Sequence, residues 1–365
     1  MLDFSPFRGY TKGRMRILVT GGAGHLGANL LRRLLADGDA DIRALVRGGD
    51  NNEGVEGLGI EVVQGDLRDA SSLRAAVAGV DRIFHVAAQI STVEGKEQEL
   101  FENNVVGTKN LLAAAREAGV GRVVVTGSFS AVGHRHDGVP SDETVPFNPF
   151  EKVLPYEKSK QAVELECLRA VAEGQDVVIA TSCAILGPHD YVPSRMGAVL
   201  RDFANGKLRA YIPGGFEFVA ARDICEGHVL AMKKGRTGHK YIISSGFHSM
   251  DQIMGIMERV TGRKRPMRLP AAVMAAIAPV TQAIQTRLFP SRPQRLTPGA
   301  IRILRMERHA DTSKAQRELG FVPTPLEDAV REAYDFFVAR GQIRGKKLSA
   351  VSSELSASER KRAVG

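Results

Sequence analysis

Residues 15–35 read MRILVTGGAGHLGANLLRRLL: an apolar run, a glycine-rich turn and then a helical pattern. Ile17, Leu18 and Val19 form the kind of continuous apolar segment that is buried on both faces in a parallel sheet. Gly21, Gly24 and Gly27 follow at a spacing of three, after which Leu26, Leu30, Leu31, Leu34 and Leu35 recur with helical period. A strand, a turn and a helix are therefore expected in that order. Glycines at such a turn let the backbone bend tightly and approach a pyrophosphate, and the free N–H groups and positive dipole end of the new helix face the phosphate charge. The loop reads as a dinucleotide cradle, against the plainer alternative that the glycines serve helix–strand packing alone.

Working outward, 42–46, 60–63, 80–87, 122–126 and 177–181 read as further strands, with helical patterns at 70–77, 97–118 and 162–172 between them. Strand alternating with helix implies right-handed crossovers and a Rossmann-type, doubly wound parallel α/β sheet. Beyond about Gly187 the alternation loosens, and Pro188, Pro193, Pro213 and Gly214–Gly215 break the chain into loops. Helical stretches near 195–205, 224–232, 250–261 and 271–287 are mixed there with short strands, which reads as a smaller C-terminal substrate lobe. The expected organisation is an N-terminal extension (1–14), a dinucleotide-binding domain (15–187), a substrate lobe interleaved with it (188–343) and a basic tail (344–365) whose composition favours disorder.

The 365-residue chain is 43% hydrophobic and 25% charged, which excludes a wholly disordered chain. Its formal charge is +9, but residues 1–16 hold +3 and 344–365 hold +4, leaving about +2 on the body. No nucleic-acid partner is needed to explain that balance. Cys167, Cys183 and Cys225 lie far apart without metal-type pairing, so neither a metal nor a disulfide framework is expected. No secretory signal is read at the start, and the most apolar stretch, 271–284, is short for a bilayer and interrupted by Pro279. A cytoplasmic protein is expected, with at most a weak, salt-sensitive attraction of the basic tail to anionic membranes. A homodimer is a candidate assembly.

The chemistry-bearing stretch is PYEKSK at 155–160, which places Tyr156 and Lys160 four residues apart on one face of a starting helix. A phenol ordinarily ionises near pH 10, and a cation one turn away favours the phenolate, which is expected to bring Tyr156 toward the working range of an acid/base. A tyrosine packed beside a solvated lysine is the bland alternative. It loses weight because Ser128 and Ser130 end the strand before it, in a chain that opens with a dinucleotide loop.

Together with TGGAGHLG at 20–27, GDL at 65–67, HVAA at 85–88, NVVGT at 104–108, TGSFSAVG at 126–133, YEKSK at 156–160 and GP at 187–188, these residues resemble the extended short-chain dehydrogenases/reductases. That is the superfamily of NAD-dependent epimerases and dehydratases, and the resemblance spans roughly 15–341. It implies a nicotinamide cofactor held by Gly21, Gly24, His25, Leu26, Gly27, Arg47, Asp66, Leu67, Val86, Ala87 and Ala88, with Tyr156 and Lys160 also in contact. It further implies Tyr156 as acid/base, Lys160 on the ribose hydroxyls and lowering the tyrosine pKa, and Ser128 on the reacting oxygen. Asn104 occupies the position of a helix asparagine that supports the site, as a proton relay or as a structural kink. Relatives that prefer NAD place an acid at the end of the second strand; this chain has Val46 then Arg47, which favours NADP(H).

Ser128-Phe129-Ser130 stands where sugar-nucleotide dehydratases resemble T-D-E, so the acid pair for eliminating water is missing. Phe216 stands where sugar-nucleotide epimerases carry an arginine for the nucleotide phosphates, although Arg195, Arg201, Lys207 and Arg209 are near in sequence. The resemblance is closer to the dihydroflavonol-4-reductase-like and 3β-hydroxysteroid-dehydrogenase-like branch, with Ser182 departing from a common proline. The expected function is an NADP(H)-dependent oxidoreductase, a carbonyl reductase or secondary alcohol dehydrogenase, acting on a small hydrophobic ketone or alcohol. A sugar or nucleotide-sugar epimerase and a non-catalytic NADP-binding sensor are the competing readings.

Overall fold

β1 (Met15–Thr20) is buried from Ile17 onward and lies inside a seven-stranded sheet. The computed structural model describes residues 14–344 apart from 39, 92–94, 136, 152 and 271–297. β2 (Ala40–Val46) flanks β1 on one side and β4 (Arg82–His85) on the other, so that Thr20 pairs with both Leu45 and His85. β3 (Glu61–Gln64) closes one edge, while β5 (Arg122–Ser128), β6 (Val177–Ser182) and β10 (Lys240–Ile243) extend the other. The order is β10-β6-β5-β4-β1-β2-β3, with every neighbouring pair parallel. This is the doubly wound sheet. Its strand order reverses between β1 and β4, and a crevice opens at the carboxyl ends of the strands there.

Alternate side chains send each strand into a different core. Ile17, Val19, Val124 and Val178 meet Leu30 and Leu31 of α1 (His25–Asp37) and Ile224 and Val229 of α7 (Ala221–Lys234). Leu18, Ile83, Val123 and Val125 face the other way, onto α2 (Ala70–Val77), α4 (Gly107–Glu117) and α5 (Pro155–Ala172). Being buried on both faces, the strands are near-continuous apolar runs.

Two expected boundaries differ. The helix read over 97–118 is divided into α3 (Glu97–Leu100), a π-type segment (Phe101–Val106) and α4, and the π-type segment holds the buried Asn104. The helix start read at 155–160 and the helical pattern read over 162–172 are one helix from Pro155, whose fixed φ suits a first helical position, and the Glu157 carboxylate accepts from the Leu154 N–H at 2.6 Å. The strand read to Ala87 ends at His85, since β1 turns away at Thr20 and leaves Val86 to Ala88 without that ladder partner.

The second lobe comprises β7 (Ala184–Leu186), α6 (Arg195–Ala204), β8 (Ala210–Tyr211), β9 (Gly215–Ala220), β11 (Gly246–Ser249), α8 (Met250–Thr261), β12 (Met267–Arg268) and helices Pro298–Arg305 and Leu326–Ala339. β9 pairs parallel to β7 and antiparallel to β11. Leu200, Phe203, Phe218, Ile253, Met257 and Phe337 form its core. Between β9 and β11 the chain returns to the large sheet through α7 and β10. The helix read over 271–287, residues 1–13 of the extension and residues 345–365 of the tail lie outside the described residues. Among the described residues no helix is long and apolar enough to cross a membrane.

Candidate active site

The turn after β1 is held closed by the Gly21 N–H on Leu45 O at 3.0 Å and the Gly24 N–H on Gly21 O at 3.0 Å. Gly21 has φ +66, and a Cβ there would sit 2.7 Å from the Ala87 Cα; one on Gly27 would sit 2.1 Å from Gly21 O. Both positions require glycine. Gly24 is the N-cap of α1 and provides no side-chain cap, so the N–H groups of the first turn stay open toward the crevice. At the start of that turn the His25 Nε2 is buried without a partner, while its Nδ1 lies 4.0 Å from Asp190 Oδ1. An uncapped helix start and an orphaned imidazole nitrogen fit a bound diphosphate.

The neighbouring strand ends complete the nucleotide side. Asp66 is gripped by the Arg68 fork, Nε at 3.0 Å and Nη2 at 2.6 Å, and these bonds hold its carboxyl down at about 2. Leu67 fills the space over Gly107, where a Cβ would meet it at 2.7 Å, and its carbonyl accepts from Asn110 Nδ2 at 3.1 Å. Val86, Ala87 and Ala88 follow β4, with Ala87 directly against Gly21 and its N–H on Thr20 Oγ1 at 3.3 Å. Arg47 stands at the end of β2 with its guanidinium on Asp50.

Ser128, Tyr156 and Lys160 come together at the carboxyl ends of β5 and β6. Tyr156 hydrogen-bonds Ser128, whose Oγ also lies 2.8 Å from Ser130 Oγ. Lys160 is buried and donates to Thr126 O at 2.8 Å, leaving two of its three N–H donors without a protein partner among the described residues. The expectation that Lys160 lowers the tyrosine pKa is corrected here: burial pushes the phenol up to about 12, with the Ser128 bond opposing it, and burial also pushes Lys160 down to about 8. Desolvation outweighs the one-turn spacing because both groups are out of water and the ammonium is turned to a backbone carbonyl.

Beneath these three runs a buried polar network. Asn104 Oδ1 accepts from the Gln89 N–H at 2.7 Å, and its Nδ2 reaches Gln89 O at 2.9 Å and Ser159 Oγ at 3.1 Å. Asn104 therefore clamps the chain after β4 to α5. Thr108 Oγ1 donates to Asn104 O, so it accepts from His85 Nε2–H at 2.9 Å, and His85 Nδ1 accepts from Thr20 Oγ1 at 2.7 Å. His228 Nδ1 donates to Ile224 O, leaving Nε2 to accept from Thr126 Oγ1 at 2.8 Å. Burial holds both imidazoles neutral, His85 at about 3 and His228 at about 4. Thr20, Thr126, Ser159 and His228 were missed as site-supporting residues: the first three lie inside the quoted stretches without a role of their own, and His228 is a lone polar residue on a helix whose partner is 102 positions away.

On the second-lobe side Phe203, Phe218 and Met196 are core residues. Phe216 is only partly buried and packs on Phe218 at 4.9 Å between ring centroids. Tyr191 bridges the lobes: its hydroxyl accepts from Arg32 Nη2 at 2.9 Å, and Arg340 lies over its ring at 4.9 Å. Ser182 turns its hydroxyl onto Cys183 O at 3.0 Å. Among the described residues no group of three or more His, Cys, Asp and Glu is placed to hold a metal.

Residues 17–244 match the NAD dependent epimerase/dehydratase family. The chain is similar to sterol demethylase protein B of Methylococcus capsulatus, 42% identical over 90% of this chain and 100% of that protein. It is also similar to a putative dihydroflavonol 4-reductase of Synechocystis, 34% identical over 89% of this chain and 95% of the other. Among solved structures, the dTDP-glucose 4,6-dehydratase DesIV of Streptomyces venezuelae, crystallised with NAD and TYD bound, superposes with a TM-score of 0.73 at 26% identity, covering 90% of this chain and 99% of that one. The chain belongs to the NAD-dependent epimerase/dehydratase family, the extended short-chain dehydrogenases/reductases, and is an NAD(P)-dependent oxidoreductase.

Proposed function

We propose that the protein is an NADP(H)-dependent carbonyl reductase or secondary-alcohol dehydrogenase acting on a hydrophobic substrate of sterol or steroid type. The observation that carries this reading is the meeting of Ser128, Tyr156 and Lys160 beside the glycine cradle at the strand-order reversal. When bound, the nicotinamide supplies or takes the hydride at the substrate carbon. In the reductive direction Tyr156 gives its proton to the carbonyl oxygen as that hydride arrives, and Ser128 donates a hydrogen bond to the same oxygen. A phenol held at about 12 is protonated at neutral pH and ready to donate. Lys160 directs its two free donors at the ribose hydroxyls. The His25 imidazole and the open N–H groups of α1 bind the diphosphate. Asn104 keeps the chain after β4 against α5 and so holds the distance between cradle and Tyr156.

The sterol or steroid class is supported by the likeness to sterol demethylase protein B and by the apolar Phe216, where nucleotide-sugar epimerases use a phosphate-binding arginine. The NADP(H) preference is supported by Arg47 at the end of β2. The test is a panel of 3-oxo and 3-hydroxy steroids and sterols, simple hydrophobic ketones and nucleotide sugars, each with NADPH or NADH and their oxidised forms. Turnover is expected with the hydrophobic members and NADPH. Turnover confined to nucleotide sugars would establish the epimerase reading instead, and cofactor binding with no turnover at all would establish the sensor.

A further inference from the structure

The fork of Arg47 is closed on Asp50, three residues on: Nε to Oδ2 at 2.9 Å and Nη2 to Oδ1 at 3.1 Å. The backbone between them is shaped for this bidentate contact. Gly49 takes φ +82, a Cβ on Gly48 would press on Gln64 Oε1 at 3.2 Å, and Asn52 Nδ2 ties the turn back to Arg47 O at 3.3 Å. Both side chains are about half exposed, 55% and 48%, so water can exchange either partner. The nearby Arg68 is committed to Asp66 in the same bidentate way. Each arginine in this corner is therefore already paired with an acid.

We propose that Asp50 is a specificity-determining residue for the dinucleotide, occupying the arginine fork that a ribose 2′-phosphate requires and offering an acceptor to a free 2′-hydroxyl. The inference rests on the reading of Arg47 given under Proposed function. A 2′-phosphate must displace the Asp50 carboxylate from the fork, and the displaced carboxylate then stands close to a dianion and repels it. A 2′-hydroxyl requires no displacement. Asp50 thus holds the NADP(H) preference conferred by Arg47 below what the arginine alone would give.

The experiment is direct titration of the purified chain with NADPH and with NADH, by calorimetry or cofactor fluorescence, in the parent, Asp50→Asn, Arg47→Ala and the double variant. Asp50→Asn is expected to tighten NADPH about two- to fivefold, the range of an exposed ion pair, and to leave NADH no tighter. The gain should shrink at high salt and vanish when Arg47 is already alanine. Unchanged or weaker NADPH binding in Asp50→Asn, with the preference still lost in Arg47→Ala, overturns the role of Asp50 and leaves the NADP(H) reading standing. A preference that survives Arg47→Ala overturns both.

Discussion

At the scale of single residues, the site depends on two groups moved in opposite directions by one cause. Burial raises Tyr156 to about 12 and lowers Lys160 to about 8. Tyr156→Phe removes only the ionisable hydroxyl, so reductive turnover should fall by about 10²- to 10⁴-fold while NADPH still binds. Unimpaired turnover in that variant would assign the proton to another group. Lys160 is charged below about 8 and neutral above it, so its charge-assisted hold on the ribose hydroxyls weakens as the pH rises. Reductive kcat/KM in the parent should therefore decline through about pH 8, and the decline should be missing from the already impaired Lys160→Ala enzyme. The same limb persisting in that variant would place it on a different titrating group.

At the scale of elements, the β1–α1 turn and the π-type segment carry the geometry. A methyl on Gly27 would lie 2.1 Å from Gly21 O, against 3.3 Å for one on Gly24. Gly27→Ala should open the turn, cost about 1–3 kcal/mol in denaturant unfolding and abolish measurable cofactor binding, whereas Gly24→Ala should unfold nearly as the parent does. Equal effects of the two substitutions would show that the close approach at Gly27 is not what closes the cradle. The π-type segment Phe101–Val106 interrupts the helix and holds Asn104, whose side chain bonds Gln89 and Ser159 together. A regular helical period gives no sign of that interruption, which is why 97–118 reads as one helix.

At the scale of the whole molecule, buried neutral histidines tie the large sheet to the helices on both of its faces. His228 of α7 bonds Thr126 of β5, and His85 of β4 joins Thr20 of β1 to Thr108 of α4. Their ordinary pKa is 6.5, and in the folded chain they stand at about 4 and about 3. Between those values the unfolded chain binds more protons than the native one, so their contribution is complete above about 6.5 and is lost as the pH falls toward the folded values. Urea unfolding should show a loss of the order of 1 kcal/mol per histidine per pH unit below 6.5. Equal stability at pH 7 and pH 5 would contradict the burial of these rings.

The sequence by itself determined the sheet, the dinucleotide turn and the pair Tyr156 and Lys160, because each rests on local spacing: period-three glycines between a strand and a helix, and two side chains one helical turn apart. It also carried Ser128, Asn104 and the GDL and HVAA stretches through their resemblance to a family. Only the tertiary structure decided which way the tyrosine titrates, for desolvation depends on what covers a group and not on its neighbour four residues away. The same holds for the support beneath the site. Thr126 meets His228 from 102 positions further along the chain, and Thr20 meets His85 from 65. Such contacts leave no periodic trace in the sequence, and they form only once the strands lie side by side.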